Sequence, residues 1–369
     1  MLPTAVTIMH IMLPSCLFVV IAYIISGVLQ NSKVFFVTSV MSLPYNVLII
    51  SALLFREIDI FTVSILTTIG WFLHIVILLP SFYKKGFRLF CNLSAKDKGG
   101  HRGEVLYIFI GSMMFQLCFI IDKAALSFDG GMATTVNYAS NLFITISSVF
   151  VVAMSTVSYP SICRHFEDGN MDFVRKFIGY IITVLLAIFV PFILTANLFG
   201  GDIISLLYER GEFGSYLTGI TASLFAIYTF GILGYVCQEL FNKVLYLGSK
   251  YFFPVAGTIL VVILKLIINA FVSPLGAVAV AISTTLLFTL YAIGCLFIVA
   301  KLVGNFFSKA LIKNILKILL SAACAFLVYL IPMNFNFIIR LLLCGAVYAA
   351  VLTLSGCVKY IITGIKEVK

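Results

Sequence analysis

Charged residues are scarce in this sequence. Only 10% of its 369 residues are Asp, Glu, Lys or Arg, whereas 62% are hydrophobic. Soluble domains carry about 25% charged residues, so this composition excludes a water-soluble domain. We therefore expect most of the chain to lie within a membrane.

Motifs that bind metals or carry out catalysis are also lacking. The nine Cys include no Cys-x-x-Cys pair and the four His no His-Glu-x-x-His motif, so neither a zinc site nor a redox-active pair is predicted. The sequence contains no Walker loop and no Gly-x-Ser-x-Gly motif, which argues against an ATPase or a serine hydrolase. We expect a protein that is not an enzyme and that holds no cofactor.

What the sequence does contain is a series of apolar runs, each about 20 residues long, the length that a helix needs to cross a bilayer. The runs are continuous rather than alternating, which favours helices over a barrel. We predict an all-α polytopic membrane protein with about eleven transmembrane helices. The predicted spans are Ile11–Leu29, Val34–Phe55, Ile60–Tyr83, Val105–Leu126, Ala133–Val157, Phe177–Phe199, Tyr216–Phe241, Phe252–Val272, Ala277–Val299, Ile315–Met333 and Phe337–Val358.

The Lys and Arg residues lie mainly in the segments between these runs. Of the 24, 18 fall on one side of the predicted membrane, and only Arg56, Arg210 and Arg340 fall on the other. This bias marks the cytoplasmic side, so we expect a cytoplasmic C-terminus and an N-terminus outside. It also explains the net charge of +10 without a nucleic-acid partner.

Several segments, in order along the chain, carry a resemblance to a known family. They are IMLP (11–14), SGVLQNSKVFFV (26–37), QLCFIIDKAALS (116–127), YPSICRHFEDGNMDFVRKF (159–177), LLYERGEF (206–213), QELFNKVLYLGSKYFFP (238–254) and PLGAVAVAISTT (274–285). Together they are similar to the MviN/MurJ-type lipid II flippases of the MOP exporter superfamily.

The resemblance implies an arrangement of fourteen spans, made of two six-helix lobes and two further C-terminal helices. This chain matches spans four to fourteen, so we expect the first three spans to be absent, in agreement with the N-terminus predicted outside. The expected division is a three-span remainder of the N-terminal lobe at 1–83, a basic cytoplasmic loop at 84–104, a six-span C-terminal lobe at 105–300, and two additional spans with a cytoplasmic tail at 301–369.

Ionisable residues inside predicted spans are candidates for function, because a charge in a bilayer is costly. By its depth along its span, Asp122 shares one layer of the C-terminal lobe with Lys265 and Asn269 of one span and Thr284 and Thr285 of the next. An alternative is that Asp122 and Lys123 lie near the outer membrane interface and extend their side chains to it.

The resemblance implies a sodium site in this layer, formed by an Asp, two polar residues one turn apart and a Thr. Asp122 matches the Asp, Lys265 and Asn269 match the pair, and the Thr is Thr284 or Thr285. Lys has three donors and no acceptor, so it cannot coordinate sodium. Our hypothesis is that Lys265 forms a salt bridge with Asp122 as a tethered cation, so that sodium coupling is lost or altered. Coupling to sodium or to the membrane potential is the expectation that Lys265 weakens.

The resemblance also implies a substrate cavity whose cations hold a lipid-linked pyrophosphate, a role that suits Arg and Lys. Asn141 stands where the family has a cavity Arg, so Lys123 is the remaining candidate cation at that depth. Glu239, near a span end, is interpreted as a carboxylate paired with Lys243 four residues later.

The function implied by the resemblance is flipping of lipid II, the undecaprenyl-pyrophosphate-linked peptidoglycan precursor, across the bacterial plasma membrane by alternating access. One alternative is an exporter of lipid-linked polysaccharide units. Another is a truncated, non-transporting homologue that acts as a membrane partner. Further expected partners are anionic lipids at the cytoplasmic face and other cell-wall synthesis proteins.

Overall fold

The computed structural model describes residues 2–32, 34–55, 59–88, 102–128, 131–211, 213–332 and 335–368. In these ranges the regular elements are helical, apart from one isolated bridge between Arg210 and Phe213. Within the described ranges, nine helical segments are long and apolar enough to cross a membrane, and the number rises to as many as eleven when each of two bent helix pairs is counted as one span. The prediction of an all-α polytopic membrane protein with about eleven spans is confirmed.

The chain divides into two compact units, Met1–Lys98 and Gly99–Lys369. The boundary lies in the predicted loop at 84–104, of which residues 89–101 lie outside the described part. The first unit contains α1 (Leu2–Asn31), α2 (Phe35–Val40), α3 (Leu43–Phe55) and α4 (Ile60–Lys84).

Helices α1 and α4 form the core of the first unit. Thr68 of α4 donates a hydrogen bond to the carbonyl of Ile11 in α1, with 2.9 Å between oxygens. Asp59 caps the start of α4 by accepting hydrogen bonds from the hydroxyl and the amide of Thr62, and these bonds lower the pKa of the Asp59 carboxyl. Buried apolar contacts complete the packing: Ala22, Ile25, Leu29, Ile75, Leu78 and Phe82.

The second unit contains the remaining helices in two groups. The first group, which surrounds the candidate site, consists of α5 (Arg102–Ser112), α6 (Met114–Ala125), α7 (Met132–Glu167), α8 (Met171–Tyr208), α9 (Ser215–Thr229), α10 (Ile232–Val236), a π-helical turn (Cys237–Phe241), α11 (Asn242–Leu247), α12 (Phe252–Val272) and α13 (Ala277–Val303). The second group consists of α14 (Lys309–Leu330), α15 (Phe337–Leu354) and α16 (Cys357–Val368).

Several helix ends differ from the predicted span ends. Helices α7 and α8 contain 36 and 38 residues, so at about 1.5 Å per residue both are much longer than the hydrocarbon core of about 30 Å. Hydropathy locates only the apolar centre of such a helix. The last predicted span, by contrast, is too long, because α15 ends at Leu354 and Gly356 has a positive φ of 76°.

Two of the spans are broken within the unit. The axes of α5 and α6 differ by 45°, and those of α9 and the segment Ile232–Leu247 by 53°. A break leaves backbone carbonyls without helical partners, and in a membrane other side chains must satisfy them. At the first break the Gln238 amide donates to the Ser112 carbonyl at 2.7 Å. At the second break the Ile227 carbonyl accepts from the Phe230 backbone amide at 3.2 Å and also from the Thr285 hydroxyl at 3.1 Å.

Replacing Gln238 with leucine is expected to lower the free energy of unfolding by about 1–2 kcal/mol, because the Ser112 carbonyl would lose its partner at the α5–α6 break. Gln116 is a matched control: it is exposed on α6, and its replacement by leucine should change stability by less than about 0.5 kcal/mol. Chemical unfolding in detergent measures both values. Equal effects of the two substitutions would contradict the role given to Gln238.

Aromatic packing fixes α6 in the core of the second unit. The rings of Phe115 and Phe288 lie with centroids 3.8 Å apart, and Phe119 meets Tyr228 edge to face at 5.2 Å. Both Phe residues lie on the face of α6 that continues to Asp122. Tertiary packing therefore directs this carboxylate towards α12 and α13 rather than towards lipid.

Candidate ion-pair site within the membrane

Three helices bring four predicted site residues together inside the second unit. Asp122 lies in the last turn of α6, Lys265 and Asn269 lie one turn apart on α12, and Thr284 lies on α13. Asp122, Lys265 and Thr284 are fully buried, and Asn269 is 3% exposed. The alternative in which Asp122 extends to the membrane surface does not describe this structure.

The Asp122 carboxylate accepts hydrogen bonds from all three of the other residues. The Lys265 ammonium lies 2.6 Å from Oδ1 and forms a salt bridge. Asn269 Nδ2 donates to the same oxygen at 2.9 Å, and the Thr284 hydroxyl donates to Oδ2 at 2.6 Å. Each oxygen of this buried carboxylate therefore has at least one hydrogen-bond donor, as a buried polar group requires.

The Lys265 ammonium is equally well satisfied. Its Nζ lies 2.6 Å from Asp122 Oδ1, 2.7 Å from the Ser283 hydroxyl oxygen and 3.1 Å from the Val280 carbonyl oxygen. These three acceptors match the three N–H groups of a protonated lysine. We call this a closed pair, because the polar atoms of both the Lys265 and the Asp122 side chains have partners within the protein.

This arrangement does not fit a bound sodium ion. The position beside the Asp122 carboxylate that a cation would occupy holds the Lys265 ammonium, which donates hydrogen bonds and cannot act as a ligand. Among the described residues, no group of three or more His, Cys, Asp or Glu side chains could hold a metal ion. The Lys265 ammonium therefore occupies the position beside Asp122 that a sodium ion would need.

Thr285 does not join the site, because it bonds the Ile227 carbonyl at the bend of α9. Adjacent helical residues point about 100° apart, so only one of the two Thr residues can face α6. Sequence reasoning missed Ser283, which accepts a hydrogen bond from Lys265. Ser283 lies next to Thr284 in sequence and one turn after Val280 on α13, and its polar side chain at this depth is the signal that could have identified it.

A second polar cluster joins α6 to α7. Lys123 donates from its ammonium to Asn137 Oδ1 at 2.8 Å, and Asn141 Nδ2 donates to the same oxygen at 3.3 Å. The two predicted cavity residues, Lys123 and Asn141, are thus brought together through Asn137, which sequence reasoning did not identify. Asn137 lies one turn before Asn141, and this spacing was the available signal.

The predicted pair of Glu239 and Lys243 does not form in the described structure. The Lys243 ammonium instead donates to the Ser155 hydroxyl at 2.8 Å. The π-helical turn Cys237–Phe241 adds residues to one turn, so positions four apart no longer lie above one another.

Comparisons with known proteins agree with this fold. The sequence model of the family described as "Lipid II flippase MurJ" matches residues 1–348. The "Probable lipid II flippase MurJ" of Treponema pallidum is 24% identical over 289 residues, covering 75% of this chain and 55% of that protein. The "Lipid II flippase MurJ" of Burkholderia cenocepacia is 23% identical over 284 residues, covering 74% and 55% respectively.

Similarity also extends to a solved structure. The chain superimposes on a structure described as "Lipid II flippase MurJ, inward closed conformation" with a TM-score of 0.74 and 22% identity, covering 95% of this chain and 74% of that one. The chain spans about half the length of the two curated relatives from Treponema and Burkholderia. Because the family model matches nearly the whole sequence, the chain belongs to the lipid II flippase MurJ family.

Proposed function

We propose that this protein moves lipid II, the undecaprenyl-pyrophosphate-linked peptidoglycan precursor, from the inner to the outer leaflet of the bacterial plasma membrane by alternating access. The observation that carries the proposal is the match of the family model to residues 1–348. The movement breaks no covalent bond, so the proposed activity is transport rather than catalysis.

We place the C-terminus in the cytoplasm and the N-terminus outside. The support is the distribution of basic residues, since 18 of the 24 Lys and Arg lie on one predicted side. Residues 105–300 would then form the six-span lobe, and residues 301–369 would add two spans and a tail. Anionic lipids at the basic face and other cell-wall synthesis proteins are the further partners of this proposal.

Lys123 is the residue that we assign to the pyrophosphate of the substrate. Phosphate oxygens bind ammonium groups through charge-assisted hydrogen bonds, and Lys123 already bonds a neutral acceptor, Asn137, at 2.8 Å. A phosphate oxygen is a stronger acceptor than this amide, so the lysine can exchange one for the other. Asn141 would complete the contact as a neutral donor where the family resemblance implied an Arg.

The energy source that we propose is the membrane potential rather than a sodium gradient acting at Asp122. The closed pair of Asp122 and Lys265 supports this proposal, because the tethered ammonium satisfies the carboxylate that would otherwise bind an ion. Wild-type transport should therefore be the same in sodium and in potassium buffers of equal ionic strength.

Reconstitution of the chain in vesicles with fluorescent lipid II tests the proposal. We expect transport by the wild type and a loss of about 10-fold or more for Lys123→Gln, because a hydrogen bond to a charged group contributes about 1.5–3 kcal/mol. Lys313→Gln, at an exposed position of α14, is the matched control and should stay within about two-fold of wild type.

The same vesicles distinguish the alternatives. Movement of lipid-linked polysaccharide units without movement of lipid II would favour the exporter. Movement of neither lipid would contradict transport by this chain and would favour a membrane partner that does not transport. Transport that stops when potassium replaces sodium would contradict the proposed energy source while leaving the substrate unchanged.

A further inference from the structure

At one end of the second unit lies a cavity of about 490 Å³, a volume within the range of about 300–1,000 Å³ that is usual for small-molecule sites. The start of α8, the segment that joins α13 to α14, and helix α16 form its walls. It is separate from the Asp122 site, because none of its lining residues belongs to α6 or α12.

The lining of this cavity combines two different chemistries. Its aromatic part, called the aromatic wall below, is formed by Phe177, which stacks on Tyr180 with ring centroids 5.9 Å apart, together with Phe306 and Tyr360. Its basic part, called the polar wall below, is formed by Arg175 and Lys176. A ligand that contacts both parts has an anionic group next to a hydrocarbon part.

The charge of the polar wall is positive. Arg175 forms an ion pair with Asp172, so these two charges offset each other. Lys176 is exposed and has no ion pair among the residues that the structure describes. Helix α14, 22 residues long, begins beside the cavity with Ser308 and Ala310 in the lining, which adds the positive end of its dipole. An anion is therefore attracted to this wall by both features.

Helix α16 is held in place as the third wall. The Tyr180 hydroxyl donates to the Ile361 carbonyl at 2.8 Å. Gly364 lies against the Tyr180 ring so closely that a Cβ at this position would be 2.2 Å from a ring carbon. A side chain at position 364 would therefore push α16 away from α8 and open the cavity.

The position along α8 indicates where the ligand comes from. Arg175 and Lys176 directly precede Phe177, which begins the apolar run of the span. This boundary between charged and apolar residues is where lipid headgroups lie. We propose that the cavity binds an anionic phospholipid of the surrounding bilayer, with its phosphate at Lys176 and the α14 N-terminus and its acyl chain along the aromatic wall.

Lipid binding to the delipidated full chain tests this site independently of transport. Titration with phosphatidylglycerol and with phosphatidylcholine of equal chain length, followed by native mass spectrometry, gives the affinity of the tightest-bound lipid. We expect phosphatidylglycerol to be preferred, and Lys176→Gln to weaken its binding about five-fold, the effect of one basic residue at a membrane surface. Lys250→Gln, an exposed lysine outside the cavity, should change the affinity less than about two-fold.

Two further measurements decide the source of the ligand and the role of α16. Inorganic phosphate in millimolar excess should not displace phosphatidylglycerol. Displacement would contradict the proposal that the ligand is a phospholipid and would indicate a site for soluble phosphate. Gly364→Leu should abolish the preference for phosphatidylglycerol without changing any charge. An unchanged preference would contradict the proposal that the lipid binds in this cavity. Equal effects of Lys176→Gln and Lys250→Gln would likewise overturn it. None of these outcomes depends on whether the chain moves lipid II.

Discussion

Replacing Lys265 with methionine is expected to lower the free energy of unfolding by about 3–5 kcal/mol, the usual effect of removing one partner of a buried ion pair. Methionine fills a similar volume but offers no positive charge, so the Asp122 carboxylate would stay buried with only Asn269 and Thr284 as donors. The loss is large because low-dielectric surroundings do not screen an unpaired charge.

A double substitution separates the ion pair from simple packing. Asp122→Asn combined with Lys265→Met removes both charges, so it should recover most of the stability that Lys265→Met loses. Lys313→Met changes an exposed lysine and should stay within about 0.5 kcal/mol of wild type. Chemical unfolding in detergent measures all four proteins. If the double variant is no more stable than Lys265→Met, the pair is not the source of the effect.

Replacing Lys265 with asparagine is expected to create stabilisation by sodium that the wild type lacks. The substitution removes the ammonium and leaves oxygen atoms of Asp122, Asn269, Ser283 and Thr284 around the vacated position, together with its own amide oxygen. Carboxylate, carbonyl and hydroxyl oxygens are the ligands that sodium sites in transporters use. At a sodium concentration 100 times the dissociation constant, the gain would be about 2.7 kcal/mol.

The melting temperature in sodium, potassium and choline chloride at equal ionic strength measures this gain. Wild type should melt at the same temperature in all three salts, whereas Lys265→Asn should melt at a higher temperature in sodium alone. Asp122→Asn combined with Lys265→Asn lacks the carboxylate and is the matched control without a gain. If Lys265→Asn shows no dependence on sodium and Asp122→Asn is well tolerated, then Lys265 does not stand in for a cation.

Much of the candidate site followed from depth along the predicted spans. Lys265 and Asn269 lie one turn apart on one helix, and an apolar run of known length places both at the depth of Asp122. The choice between Thr284 and Thr285 could not be made in this way, because it depends on the rotation of α13 about its axis. Packing of Phe288 against Phe115 fixes that rotation.

The helix breaks show a similar division. Gly231 and Gly234 permit close packing near the second bend, where a Cβ at Gly234 would lie 2.7 Å from the Phe288 carbonyl oxygen. No local pattern shows that Gln238 must reach the Ser112 carbonyl, 126 residues earlier in the chain. The π-helical turn likewise changed the partner of Lys243 from Glu239 to Ser155.

The sequence by itself determined that this is an all-helical membrane protein with about eleven spans, because the length and polarity of a run decide whether it can cross a bilayer. Only the tertiary structure decided that Lys265 bonds Asp122, Ser283 and Val280 at once, and that Lys123 meets Asn137. Side chains on separate helices meet only when packing fixes the rotation and depth of each helix. Hydropathy is averaged over whole runs and contains no information about that rotation.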